Sequence, residues 1–216
     1  MVRQLAHQPS VLNTFLAEIR DASIQKDRLR FRKNMERIGE IAAYEISKTL
    51  PYSEKEVLTP LGTALLPTLD EVPVLATILR AGLPLHQGLL NFFDGADNAF
   101  ISAFRRHHKD GSFDIRLEYL SSPDISGRTV ILSDPMLATG QSMVMTYKSL
   151  IERGRPRHTH ILSVLASSEG IEYVKSHLSI DEVTVWVCAI DEELTAQAFI
   201  VPGLGDAGDL AFGEKK

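Results

Sequence analysis

Residues 129–142, Thr-Val-Ile-Leu-Ser-Asp-Pro-Met-Leu-Ala-Thr-Gly-Gln-Ser, run a buried strand directly into a tight turn. Val130, Ile131 and Leu132 form the apolar run, and Thr139, Gly140 and Ser142 supply a loop able to turn sharply and offer hydroxyls and amides ahead of a helix. Asp134 stands at the C-terminal tip of the strand. In an open parallel sheet that tip is where ligands bind. A strand of this kind needs parallel neighbours and helices that cover them.

The rest of the chain supplies both. Beyond Pro60, strand-like segments at 72–79, 99–104, 129–133, 161–165 and 183–189 alternate with helical patterns at 84–93, 142–153 and 168–177. Ser167 or Ser168 can cap the last of these helices. Residues 105–120 break the rhythm: a polar turn from Arg105 to Gly111 is followed by alternating Ile115, Leu117 and Tyr119, as in a hairpin. Before Pro60, residues 23–50 repeat Phe31, Met35, Ile38, Ile41, Ala42 and Ile46 at helical steps, and Pro51 stops the run. The predicted fold is α/β, a central and mostly parallel sheet flanked by helices, with a β-hairpin lid and an N-terminal helical extension. We expect a single domain over 1–216, divided into the helical extension (1–60), a flexible hairpin (105–120) and a tail (196–216).

With 216 residues and 44% apolar content the chain can bury one full core. Its 23 basic and 28 acidic residues argue against a nucleic-acid partner, which normally requires a basic excess. The basic residues of the 23–50 helix, Arg28, Arg30, Arg32, Lys33 and Arg37, are diluted by Asp27, Glu36 and Glu40 and read as a solvated or subunit-contacting face. The single cysteine, Cys188, lies in an apolar strand and reads as core. No apolar run reaches the length of a signal or membrane segment, so we expect no membrane partner and a cytoplasmic location.

Three loops carry the chemistry. The Thr139-Gly140-Gln141-Ser142 turn suits a phosphate or, equally, a plain helix cap by Ser142. Asp134 favours the first: a carboxylate beside a phosphate nest is accommodated when it faces the hydroxyls of a sugar phosphate. A nucleoside triphosphate is disfavoured, since no Gly-Lys-Ser/Thr ending follows. Arg80, with Ala81 and Gly82 after the 72–79 strand, offers a planar set of donors for phosphate, or a surface ion pair. The stretch Ile200 to Asp209 is rich in glycine, and a pocket walled by backbone suits a small planar amide such as a pyrimidine. A structural turn is the other reading.

In this order, Ile78-Leu79-Arg80-Ala81-Gly82-Leu83, Asp134-Pro135-Met136-Leu137-Ala138-Thr139-Gly140, Glu169-Gly170 and Val201 through Asp209 resemble the uracil phosphoribosyltransferases, of the type I phosphoribosyltransferase fold. The resemblance implies transfer of ribose 5-phosphate from 5-phosphoribosyl 1-diphosphate (PRPP) to N1 of uracil, giving UMP and diphosphate in pyrimidine salvage. It implies that Asp134, Pro135, Met136, Leu137, Ala138, Thr139, Gly140, Gln141 and Ser142 hold the ribose phosphate, with Asp134 on the ribose hydroxyls. Arg80, Ala81, Gly82 and Arg105 would take the diphosphate, and Ile200, Gly205, Asp206 and Ala207 the uracil. Asp206 would also meet the donor directly or through Mg²⁺, an ion bound mainly through the substrate. The implied assembly is a homo-oligomer, a dimer or larger, with the N-terminal amphipathic helix as a candidate contact. A pyrimidine-binding regulator of the same fold, without transferase activity, is the alternative.

Some positions depart from the family pattern: Gln141 replaces a second glycine and Leu210 a commonly basic residue. His107, His108, His158 and His160 are paired or alternating and read as plain surface residues rather than a metal site.

Overall fold

The structure, a computed structural model, describes residues 2–107 and 113–215, with side chains given outside 103–117. The chain runs β1 (Val2–Gln4), α1 (Val11–Arg20), α2 (Arg28–Ser47), β2 (Tyr52–Thr59), β3 (Gly62–Leu69), β4 (Val74–Leu79) and α3 (Leu83–Phe92). It continues through β5 (Asn98–His107), β6 (Phe113–Ser121), β7 (Thr129–Ser133), β8 (Met136–Leu137), α4 (Gln141–Ile151), β9 (His158–Ser167) and α5 (Ser168–His177). β10 (Val183–Asp191), β11 (Glu193–Leu194), β12 (Ile200–Val201) and α6 (Ala207–Phe212) follow.

The main sheet has the order β1-β10-β9-β7-β4-β5-β6, with β8 paired to β9. All pairings in it are parallel except that of β5 with β6. From β4 the chain moves to β5 on one side and returns to β7 on the other. The crevice above the β4 and β7 ends is therefore the switch point at which parallel sheets take ligands.

Strand periodicity divides the core in two, because alternate residues leave opposite faces of a sheet. Leu75, Ile131, Leu162 and Trp186 join one layer with apolar residues of α1, α2, α3 and α6. Val74, Ala76, Val130, Leu132, Ile161 and Val185 join the other with α4 and α5. Fully buried strand residues such as Ile131 each cost about 2–5 kcal/mol when cut to alanine. α2 and α3 cross closely because each carries a glycine at the contact: a methyl on Gly39 would strike the Leu85 carbonyl, and one on Gly88 the Glu36 carbonyl.

The predicted α/β sheet and the antiparallel β5–β6 hairpin are present, although the hairpin tip, with His108, lies outside the described residues. The N-terminal expectation needs correction. Residues 1–60 are not wholly helical: Val2–Gln4 pairs with Val185–Val187 at the sheet edge, and Tyr52–Thr59 forms an antiparallel arm with Gly62–Leu69. The long helix starts only at Arg28, where Asp27 accepts hydrogen bonds from the Leu29 and Arg30 amides, and a separate helix, α1, precedes it. His160 also departs from the surface reading. It lies on an inner strand and is 4% exposed, and burial, with His158 and Arg3 nearby, pushes its imidazole down to about 3. Cys188 is core as expected, and burial pushes its thiol up to about 12. No described helix is long and apolar enough to cross a membrane.

Candidate active site

At the C-terminal ends of the strands a cavity of about 610 Å³ opens. Its walls come from three separated parts of the chain: Ile78–Ala81, the loop from Asp134 to Met143, and the tail from Gln197 to Gly208. Lys215 joins them.

The first wall is the turn from β4 into α3, where the Leu79–Arg80 peptide is cis. Arg80 donates through Nη2 to Asp209 Oδ1 (3.0 Å) and to the Gly213 carbonyl (3.2 Å), while its buried Nε has no partner among the described residues. Arg80 thus makes the ion pair of the second sequence reading and also lines the cavity. Gly82 does not line it. Its amide donates to the Ile78 carbonyl (3.0 Å), and a methyl there would meet that carbonyl and Thr77 Oγ1. Its lack of a side chain lets the turn fold onto the strand.

The second wall follows β7. The Asp134 amide donates to the Leu162 carbonyl (3.0 Å) and its Oδ1 accepts from the Met136 amide (3.3 Å), which fixes the carboxylate at the strand tip. Pro135 sits behind the wall, its carbonyl accepting from Val164 and Leu165 (3.0 and 2.9 Å). Met136, Leu137, Ala138, Thr139, Gly140 and Ser142 line the cavity, whereas Gln141 does not. α4 begins without a side-chain cap, so the plain-cap reading of Ser142 fails; Gly140, at φ 77°, makes the left-handed entry. The first amides of a helix lack intrahelical partners, and here they start beside the cavity. The loop is braced from beneath: Ser167 Oγ donates to the Ala138 carbonyl (2.6 Å) and accepts from the Gly170 amide (2.8 Å). A methyl on Gly170 would collide with the Leu137 and Ala138 carbonyls, which accounts for the Glu169-Gly170 pair in the sequence.

The third wall is the tail. β11 and β12 make a short hairpin whose loop, Gln197, Ala198 and Phe199, reaches the cavity with Ile200, Gly205, Asp206, Ala207 and Gly208. Asp206 caps α6 by accepting from the Asp209 amide (3.0 Å), and Asp209 in turn pairs with Arg80. The Gly-Asp-Ala-Gly-Asp spacing thus ties the tail to the first wall. Behind it, Arg20 makes two bonds to Asp191 (2.8 and 2.9 Å) and a third to the Gly203 carbonyl (3.1 Å), while Asp191 also accepts from the Gly203 amide (3.0 Å). Burial raises the Asp191 carboxyl, but its bonds to Arg20 and Gly203 outweigh this and hold it below its ordinary value.

Sequence reasoning missed Met143, Gln197, Ala198, Phe199 and Lys215 in the lining, and the Arg20–Asp191 brace behind it. A Glu-Lys-Lys tail gives no signal beyond solvation. Arg105 lies on β5, but its side chain is outside the described residues. No group of three or more metal-binding side chains occurs among the described residues.

The chain matches the family model described as uracil phosphoribosyltransferase over residues 6–214. It is 51% identical to the uracil phosphoribosyltransferase of Porphyromonas gingivalis, covering 99% of both chains. With that of Thermococcus gammatolerans it shares 39% identity, over 92% of this chain and 87% of the relative. A solved structure of an Aquifex aeolicus protein superposes with a TM-score of 0.86 at 27% identity, covering 99% of this chain and 98% of that one. A Staphylococcus aureus hypoxanthine phosphoribosyltransferase, at 14% identity and a TM-score of 0.50 over 76% of each chain, shares the fold. By its match to this family model and to these relatives, the chain belongs to the uracil phosphoribosyltransferase family.

Proposed function

We propose that the cavity holds PRPP and uracil together and transfers the ribose 5-phosphate to N1 of the base, releasing diphosphate and forming UMP in the cytoplasm. The observation that carries this reading is that the Asp134–Ser142 loop and the Ile200–Ala207 tail face one cavity of about 610 Å³. The 5-phosphate sits on the amides and hydroxyls from Leu137 to Ser142, and Asp134 accepts from the ribose hydroxyls. Backbone groups of Ile200, Gly205 and Ala207 face the edge of the base. Arg80, Arg105 and Lys215 supply the cations toward the diphosphate, and the β5–β6 hairpin acts as the lid that keeps water from the sugar.

Breaking the bond from C1 of ribose to the diphosphate oxygen leaves positive charge on the sugar ring and negative charge on the leaving group. The new bond forms from N1 of uracil, whose proton is lost. Fixed cations at the diphosphate and carboxylates beside the ring stabilise that separation without a covalent nucleophile. Mg²⁺ arrives with PRPP. Exposed Asp206 is the carboxylate suited to complete its oxygen shell, and the ion would neutralise charge on the diphosphate.

We also propose a homo-oligomer. The apolar stripe of α2, the contact expected from sequence, is buried in the chain's own core through Phe31, Met35, Ile38, Ala42 and Ile46. The β2–β3 arm is the better candidate, because Leu58 and Leu61 are 86% and 101% exposed and Leu65 and Leu66 are also uncovered. Incubating the protein with PRPP, Mg²⁺ and a panel of bases, and measuring diphosphate release, tests the proposal. Uracil is the expected acceptor over orotate and purines; no turnover with any base would replace the enzyme with a nucleotide-binding regulator.

A further inference from the structure

A second cavity, of about 340 Å³, lies at the other end of the sheet. It is lined by Thr129 and His158, the first residues of β7 and β9, and by Thr184 near the start of β10. Because these strands are parallel, the cavity is separated from the nucleotide site by the full length of β7, about 13 Å of strand. None of its lining residues belongs to the three walls described above.

Its inner wall is cationic and rich in donors. Arg3, on β1, lies over the ring of Trp186 with its guanidinium carbon 4.9 Å from the ring centroid. Its Nε is buried without a partner, and no carboxylate pairs with it among the described residues. Its terminal nitrogens make no hydrogen bond among the described residues, and Arg3 lines the cavity, so they are the donors left to an acceptor there. His160 adds a second donor. The Trp186 indole can only donate, and it bonds His160 Nδ1 at 3.1 Å, so the neutral ring carries its proton on Nε2. Arg157, at the rim, is bonded to Glu71 (3.0 Å) and Thr129 (3.2 Å), and His158 to Thr184 (2.9 Å). Among the described residues, positive charge in the cavity therefore comes from Arg3, with Arg157 offset by Glu71.

We propose that this cavity is a binding site for a small oxyanion, phosphate or carboxylate, taken by Arg3 with His160 as the neutral second donor and distinct from the phosphate loop of the nucleotide site. A guanidinium and an imidazole N–H that line the same cavity can both donate to the oxygens of either group. The site is independent of the reaction proposed above.

The chain has one tryptophan, and Trp186 lines this cavity, so its fluorescence is a probe of the site. Inorganic phosphate and acetate are titrated separately at constant ionic strength, with chloride as the balance and with UMP saturating the nucleotide cavity. A saturable change with phosphate, with acetate or with both supports the site and states which group it takes. Arg3→Gln is expected to raise the midpoint about tenfold or more while transferase activity is retained. No saturable change with either anion in the wild type overturns the proposal, and so does a response that Arg3→Gln leaves unaltered.

Discussion

Asp134 carries more of the proposed chemistry than any other single side chain, and its surroundings let that be tested cleanly. It sits at a strand tip, outside both core layers, held by its own backbone and by the Met136 amide. Asp134→Asn keeps the shape and removes the charge. We expect turnover to fall about 10²- to 10³-fold, the scale of one lost preorganised contact, with an unchanged melting curve by circular dichroism. A variant that fails to fold would assign Asp134 to structure instead. At this scale much is legible from sequence: Asp134, Arg80, Thr139 and Asp206 stand in strand-tip and glycine-rich motifs, and all four line the cavity. The coordinates add which of them line the cavity: Gly82, Pro135 and Gln141 do not, because a motif mixes residues that open onto a cleft with residues that let the chain turn.

Among elements, the βα units could be read because each strand and helix carries its own period. The pieces that were missed lack one. The β2–β3 arm is exposed along nearly its whole length, so no core face imprints alternation on it, and β1 is a three-residue strand whose partner lies at Val185–Val187. The Arg20–Asp191 brace joins residues far apart in the chain and was equally invisible. It couples α1 and the end of β10 to Gly203, and so holds the tail in place. The folded-state value of Asp191 is depressed, so its contribution to stability is full above the ordinary value of 3.8 and is lost as pH falls through the lower folded value. Urea unfolding of wild type and Asp191→Asn should differ by about 3 kcal/mol at neutral pH, and the gap should close only in acid below the ordinary value. A gap independent of pH would show that the charge of Asp191 contributes nothing.

For the whole molecule, two cavities occupy opposite ends of one mostly parallel sheet, and an apolar arm extends from the body. If the arm holds a second copy, replacing both Leu61 and Leu65 with Glu should shift the sedimentation coefficient toward that of the monomer without loss of secondary structure. An unchanged oligomer would place the interface elsewhere. The central claim is that the loop after β7 and the tail before α6, which share a cavity, grip the two ends of one nucleotide. A crystal structure of the protein soaked with UMP tests it most directly. The account predicts phosphate density against the amides of 137–142 and the uracil ring against Ile200, Gly205 and Ala207. UMP bound with either end outside those two segments would contradict it.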